Sequence, residues 1–255
     1  MAFIANHVYT IANKTQFQGN NMMIGLLQAK PDNGTPCQVF IQASNEETFN
    51  QQWLIKEVAG KQQVYTFQDI RTGSYLDLSN GGAANGTRVQ GWNHAIGTAW
   101  SPNMQWKIVK DGNYMKIQNV ASGTYLDLLS SPTTQASDKI HSQNHNLNRY
   151  LVLPKSVRDA IYVKSGLKNV KGRGQLFDSD DYAFVLKAEV AKWGIATLLA
   201  DDFGILWGVM FGEQGSRGLA YNFYLNENLD NVIFFDPYTG EEKVDMQYKA
   251  YFAVF

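Results

Sequence analysis

The segment Gly73-Ser-Tyr-Leu-Asp-Leu-Ser returns about fifty residues later as Gly123-Thr-Tyr-Leu-Asp-Leu-Leu, and this recurrence restricts the fold more than anything else in the chain. Each copy follows an alternating stretch, Val64-Tyr-Thr-Phe-Gln or Tyr114-Met-Lys-Ile-Gln, and His7-Val-Tyr-Thr-Ile reads as an earlier version of it. Further on, Asn33-Gly-Thr-Pro-Cys-Gln-Val-Phe40 aligns with Asn85-Gly-Thr-Arg-Val-Gln-Gly-Trp92. Two units then close on Asn50-Gln-Gln-Trp53 and Asn103-Met-Gln-Trp106. Short strands and turn signals at a period of roughly 45–50 residues argue for a closed all-β architecture. Three units are too few for a propeller. They suit a trefoil, in which each unit buries one large aromatic; Trp53 and Trp106 are two of these, and Tyr150 is the expected third.

The Gln51-x-Trp53 spacing and the paired Tyr-Leu-Asp-Leu motifs resemble the ricin-B lectin family. The resemblance implies that the aspartate of each unit accepts hydrogen bonds from sugar hydroxyls while a later aromatic stacks on the ring. The chemistry suits those residue types. A galactoside offers adjacent hydroxyls that one carboxylate accepts together, and its other face is a C–H patch that packs on an indole. By this test the second unit is complete, with Asp77, then Trp92, Asn93 and His94, then Asn103 and Gln105. The third keeps Asp127 but has Gln143 in place of the tryptophan, followed by Asn144 and His145, so it is weaker or works without stacking. The first has Gly25 where the aspartate belongs, although Phe40 holds the aromatic position; it is expected to be silent. Read singly, Asp77 or Asp127 would serve as a turn-capping carboxylate. It is their repetition alongside Trp92 and Asn103 that favours sugar.

Charge excludes some partners. Twenty-two basic residues stand against 23 acidic ones, with no basic cluster to suggest nucleic acid or an anionic membrane. No stretch has the apolar length of a transmembrane helix, and the N-terminus lacks the pattern of a secretory signal. The single cysteine, Cys37, forms no internal disulfide and suits a reducing compartment, so a cytoplasmic location is expected; its register with Val89 marks it as a small core residue. Asn33-Gly34 and Asn85-Gly86 match glycosylation sequons but read better as turns.

After about residue 150 the pattern changes, giving two expected domains, 1–150 and 151–255. A helix should start at Pro154 and stop at Gly166. A second should follow Asp178-Ser-Asp-Asp181, carry Tyr182, Val185, Leu186, Val190 and Trp193 at helical spacing, and end at Gly194. Strand-like runs follow: Phe203–Phe211, Leu219–Leu225, Val232–Phe235 and Tyr248–Phe255. Together these make an α+β domain.

Phe177-Asp-Ser-Asp-Asp, Ala191-Lys-Trp-Gly, Gly208-Val-Met-Phe-Gly, Ala220-Tyr-Asn, Phe234-Phe-Asp-Pro and Tyr248-Lys-Ala-Tyr-Phe resemble the fungal chimerolectin family of the Marasmius oreades agglutinin and Polyporus squamosus lectin. The resemblance implies a ricin-type β-trefoil followed by a papain-like, calcium-dependent cysteine protease domain that also dimerises. It places the nucleophile at Trp207, the histidine at Leu219 and the acid at Asp236. Residues 151–255 contain neither cysteine nor histidine, so the thiolate–imidazole chemistry of such enzymes has no components here. Asp178, Asp180 and Asp181 offer the oxygen ligands that calcium prefers; the same cluster equally suits a helix N-terminus. The expected protein is a non-enzymatic homodimeric lectin for glycans, glycoproteins or glycolipids ending in galactose or N-acetylgalactosamine. The rival is a calcium-dependent hydrolase with an active site of another composition.

Overall fold

A computed structural model describes residues 5–13, 16, 19–127, 138–142 (backbone only), 150–200, 203–226, 231–244 and 247–255. The chain forms two compact units, Met1–Arg149 with Leu198–Asp202, and Tyr150–Thr197 with Phe203–Phe255.

The described part of the first unit is built from β1 (His7–Asn13), β2 (Met22–Leu26), β3 (Thr35–Ile41), β4 (Gln52–Glu57), β5 (Val64–Asp69), β6 (Tyr75–Leu78), β7 (Val89–Trp92), β8 (Trp106–Asp111), β9 (Tyr114–Asn119) and β10 (Asp138–Ser142). They join one sheet in the order β10-β1-β2-β3-β7-β6-β5-β8-β9, with β4 pairing β1 and β5, giving an all-β, trefoil-like barrel. The repeat is legible in the register. Gly25 faces Gln38 and Leu26 faces Cys37 across β2–β3, as Asp77 faces Gln90 and Leu78 faces Val89 across β6–β7. Alternation along each strand turns one set inward: Ile24, Leu26, Leu76 and Leu78 join Trp53, Phe67, Trp106 and Ile117 in the core, and Cys37 packs against it. Gly34 and Gly86 both take a positive φ in their turns, as Asn-Gly pairs there require.

The two tryptophans occupy matching places. Both are fully buried, and each indole N–H reaches a main-chain carbonyl of its own unit: Trp53 to Ile24 at 3.1 Å, Trp106 to Leu76 at 2.9 Å. A buried indole thus fills the core and leaves no donor unpaired. Tyr150 does not complete the set. It is 37% exposed and belongs to the second unit, where Tyr150–Leu151 pairs in parallel with Gly204–Ile205.

The second unit comprises β11 (Tyr150–Leu151), α1 (Lys155–Ser165), α2 (Ser179–Thr197), β12 (Gly204–Ile205), β13 (Gly208–Gln214), β14 (Arg217–Leu225), β15 (Val232–Asp236), β16 (Glu241–Lys243) and β17 (Lys249–Val254). Its five-stranded antiparallel sheet runs β16-β15-β14-β13-β17, so the unit is α+β. α1 ends where expected, on Gly166 in the left-handed region. α2 does not end at Gly194. Its glycine is buried inside the helix, where a Cβ would meet Ile205 Cδ1 at 2.6 Å. The residue lets β12 approach the helix, and helical hydrogen bonding continues to Thr197. Asn222, fully buried on β14, donates to Ala183 of α2 at 2.9 Å and to Gly208 at 3.2 Å, tying helix to sheet.

No described helix is long and apolar enough to cross a membrane.

Candidate carbohydrate site

β6 and β7 position the second-unit residues. Asp77 lies directly opposite Gln90, and Tyr75 directly opposite Trp92. Alternation therefore puts all four on one face of the hairpin, while Leu76 and Leu78 turn into the core. Asp77 and Trp92 are diagonal neighbours, roughly 7–8 Å apart by sheet geometry. The aspartate is buried, and the indole is 39% exposed. The face thus carries a buried carboxylate beside an exposed indole.

The carboxylate is held from two directions. Gln90 Nε2 donates to Oδ1 at 3.0 Å, and Asn103 Nδ2 donates to Oδ2 at 2.9 Å. Burial pushes the Asp77 carboxyl above its ordinary value, against the pull of these two amides. Each oxygen keeps a further lone pair beyond these two bonds. Asn103 sits on the 3-10 turn Pro102–Met104. Its Oδ1 accepts from Ser101 Oγ, and its carbonyl accepts from Asn119 Nδ2 at 2.8 Å.

Asn93 and His94 follow Trp92 out of the strand. The Asn93 N–H donates to Asn33 Oδ1 at 2.7 Å, which draws the first unit's Asn-Gly turn to the rim. Ser74 Oγ donates to Asn93 Oδ1 at 3.3 Å. His94 stacks on Trp100, with ring centroids 3.7 Å apart and planes 14° from parallel, and Tyr75 meets the Trp100 edge at 4.8 Å. Tyr75 and Trp100 therefore fix the imidazole beside this face.

Gln105 is different. It is buried, its amide donates to the Trp100 carbonyl at 2.8 Å, and its carbonyl accepts from Lys61 Nζ at 2.7 Å. Both ends are used, and the side chain supports the loop beneath His94, out of reach of a ligand. The amide that joins Asn103 on Asp77 is Gln90, which carries no role in the motif comparison. A signal existed: a glutamine two residues before the aromatic recurs as Gln38 before Phe40 and Gln90 before Trp92.

The first unit shows why Gly25 cannot simply be read as a missing carboxylate. Gln38 stands opposite it, as Gln90 does opposite Asp77. Asn50, the counterpart of Asn103, bonds the Leu26 backbone instead, accepting from its N–H at 3.2 Å and donating to its carbonyl at 2.6 Å. A Cβ on Gly25 would lie 2.5 Å from the Asn50 carbonyl oxygen. The place is closed by main chain.

In the third unit Asp127 is exposed, two residues beyond the isolated bridge Gln118–Tyr125. Asn144 and His145 lie outside the described residues.

In the C-terminal unit, Tyr150–Thr197 with Phe203–Phe255, Asp178, Asp180 and Asp181 place carboxylate oxygens within 4.8 Å of one another. The cluster also caps α2. Asp181 Oδ2 accepts from the Asp178 N–H at 3.1 Å, and Asp178 Oδ1 accepts from the Asp180 N–H at 3.4 Å, satisfying donors that a helix start leaves open. A hydrogen bond shared with the Asp178 carboxyl raises Asp180 above the usual carboxylate range, with burial and the neighbouring charges adding to it.

Trp207 and Leu219 do not come together. Gly208 faces Phe223 and Gly212 faces Leu219, so the two side chains sit at opposite ends of the β13–β14 ladder, about 16 Å apart along the strand. Trp207 is instead buried and stacked on Tyr224, with centroids 5.3 Å apart and planes 7° from parallel. The hydroxyl beside Leu219 belongs to Ser179 at the start of α2, which accepts from the Ala220 N–H at 3.1 Å. Asp236 is ion-paired with Lys243 at 2.8 Å and caps the following turn through Tyr238 and Thr239.

No curated protein matches the chain. Residues 150–242 match the agglutinin C-terminal family. Two solved structures cover 100% of this chain and 100% of their own, each at 27% identity. One is PSL1a in complex with E64, at a TM-score of 0.84. The other is the lectin of Polyporus squamosus bound to the human-type influenza-binding epitope Neu5Aca2-6Galb1-4GlcNAc, at 0.82. The ricin-type β-trefoil lectin domain-like model matches residues 3–92 and 49–143, more than half of the sequence, and the chain belongs to that family.

Proposed function

We propose that this protein is a non-enzymatic lectin that binds glycans ending in galactose or N-acetylgalactosamine through its second trefoil unit. The observation that carries the reading is the β6–β7 face, where the doubly held Asp77 carboxylate lies beside the exposed Trp92 indole. Asp77 accepts two vicinal hydroxyls; Asn103 keeps the carboxylate aimed, and the indole covers the C–H face of the ring. Asn93 and His94 border that face and contact substituents on the sugar. Asp127 is a candidate for a second, weaker site.

The second unit serves self-association in this reading. Its support is β17, an edge of the five-stranded sheet that exposes Tyr251 and Phe252, with Phe255 beyond it. An unpaired strand edge with exposed aromatics favours pairing with a second copy. Two trefoils in one dimer raise avidity for multivalent glycans without any new contact. The absence of cysteine and histidine after residue 150 supports a unit without thiolate–imidazole protease chemistry.

The test is a glycan array probed with the intact protein and with Asp77→Ala. Binding to galactose-terminated glycans should be lost in the variant while the thermal transition persists. An unchanged pattern would remove the site assignment. Incubation with casein and calcium addresses the rival hydrolase, and sustained turnover would overturn the non-enzymatic reading.

A further inference from the structure

Asp69 ends β5 and is completely buried. Its Oδ1 is well supplied, accepting the Thr72 N–H at 2.8 Å and the Thr72 hydroxyl at 2.9 Å. Its Oδ2 is buried with no hydrogen-bond donor in reach. A buried carboxylate needs pairing on both oxygens or a nearby cation. The charge that acts on it is Arg71, on the same turn, and its pull is weak: burial outweighs it and all the hydrogen bonds, lifting the carboxyl to about 7. Among the described residues, the other elements against it bring no countercharge. β4 presents Trp53 opposite it, with Lys56 and Glu57 further along, facing Thr66 and Tyr65. Glu46, on the preceding 3-10 turn, is exposed. Leu199 and Ala200, which donate to the adjacent Ile70 carbonyl, are uncharged.

The repeat supplies an internal control. Asn119 ends β9 and faces Trp106, as Asp69 ends β5 and faces Trp53. The Asn119 N–H reaches the Thr124 carbonyl at 2.8 Å, and the Asp69 N–H reaches Ser74 at 2.9 Å. The next residues match too: Val120 donates to the Gln105 carbonyl at 2.9 Å, and Ile70 to Gln52 at 3.0 Å. Asn119 Oδ1 accepts from Ala121 and Ser122, as Asp69 Oδ1 accepts from its own turn. The remaining atom of Asn119 is a donor, and Nδ2 gives to the carbonyls of Asn103 at 2.8 Å and Gln105 at 3.5 Å. Their counterparts are Asn50 and Gln52. At Asn119 this position faces main-chain oxygens and is filled by a donor; at Asp69 the orphaned Oδ2 occupies it, and a carboxyl group supplies a donor only when protonated.

We propose that Asp69 is a neutral carboxylic acid in the folded protein, its Oδ2–H donating to the Asn50 or Gln52 carbonyl, so that the turn Asp69–Gly73 is latched by a proton. That turn delivers Ser74 to Asn93 and Tyr75 to its place opposite Trp92, so the latch lies at the root of the β6–β7 face. Ionisation sets a buried anion against carbonyl oxygens. The folded state keeps the proton up to about pH 7, whereas the unfolded chain releases it near pH 3.9. The stability it provides is complete below the lower value and is lost as pH rises through the upper one. Across that window the folding equilibrium weakens by up to about tenfold per pH unit.

The test compares denaturant unfolding of the full chain with that of Asp69→Asn between pH 4 and 9. The variant carries the donor permanently, so its advantage over the natural protein should grow from about pH 4 to about pH 7 and then stay constant. The mirror variant Asn119→Asp should lose stability over a comparable range. Carbon-13 NMR of the aspartate carboxyls gives a readout that does not depend on any variant folding. One carboxyl should remain protonated at about pH 6, where ordinary ones are ionised, and it should be missing from the Asp69→Asn spectrum. An advantage of Asp69→Asn that does not change with pH, or aspartates that all titrate in the ordinary range, would overturn the proposal.

Discussion

Gly25→Asp is the substitution that sequence comparison recommends for building a sugar site in the first unit, and the structure predicts that it fails. The donors are in place, since Gln38 faces Gly25 and Asn50 stands where Asn103 does. The obstacle is main chain: the new Cβ would lie 2.5 Å from the Asn50 carbonyl oxygen. Relieving it shifts the backbone, at a cost of about 1–3 kcal/mol for overpacking. Turning the Asn50 amide toward the new carboxylate also gives up its two bonds to Leu26, worth about 1 kcal/mol each. The total is on the order of 3–5 kcal/mol. At roughly 2–4 °C per kcal/mol for a domain of this size, the first transition should fall by on the order of 10 °C. Differential scanning calorimetry measures the shift, and titration with a galactoside counts the sites. A variant that melts within a degree or two of the natural protein and binds one more sugar would refute the packing argument.

Four further outcomes follow from the same geometry. Galactoside affinity should fall on acidification, beginning above the pH at which an exposed aspartate titrates, because the Asp77 carboxyl is raised and must be ionised to accept hydroxyls; isothermal titration across pH 4–8 checks this, and a flat profile contradicts it. Trp106→Phe should destabilise the first unit by about 1–3 kcal/mol, since it deletes buried volume and leaves the Leu76 carbonyl without its indole donor; chemical denaturation reads the loss. Asp178→Ala should cost about 1 kcal/mol by removing a cap from α2, visible as an earlier second transition. Replacing Tyr251 and Phe252 together by serine should shift the protein from dimer to monomer in light scattering, if β17 is the self-association edge.

Much of the first unit was legible in the sequence, because register in a repeated β-structure is carried by alternation. Once Trp53 and Trp106 are matched, the Tyr-Leu-Asp-Leu segments assign Leu76 and Leu78 to the core and Asp77 to the other face. The same parity identifies Gln90 as the neighbour of Asp77. Gln105 belongs to the second repeat's motif, but it follows a 3-10 turn and donates to the Trp100 carbonyl. Glycine most often ends helices, and Gly194 carries that signal at the end of the apolar spacing; its close approach to Ile205 is a tertiary fact with no local signature. Trp207 and Leu219 illustrate the same limit. Motif order along a chain does not give the hairpin register, and here the register separates them. Gly25 looked like an absent group and is an occupied place.

The most direct measurement is a crystal structure of the protein grown with lactose. The account predicts a galactose ring lying on Trp92, with two hydroxyls within hydrogen-bond distance of the Asp77 oxygens and Asn103 still donating to Oδ2. A sugar bound elsewhere on the barrel, with the β6–β7 face left to solvent, would contradict it.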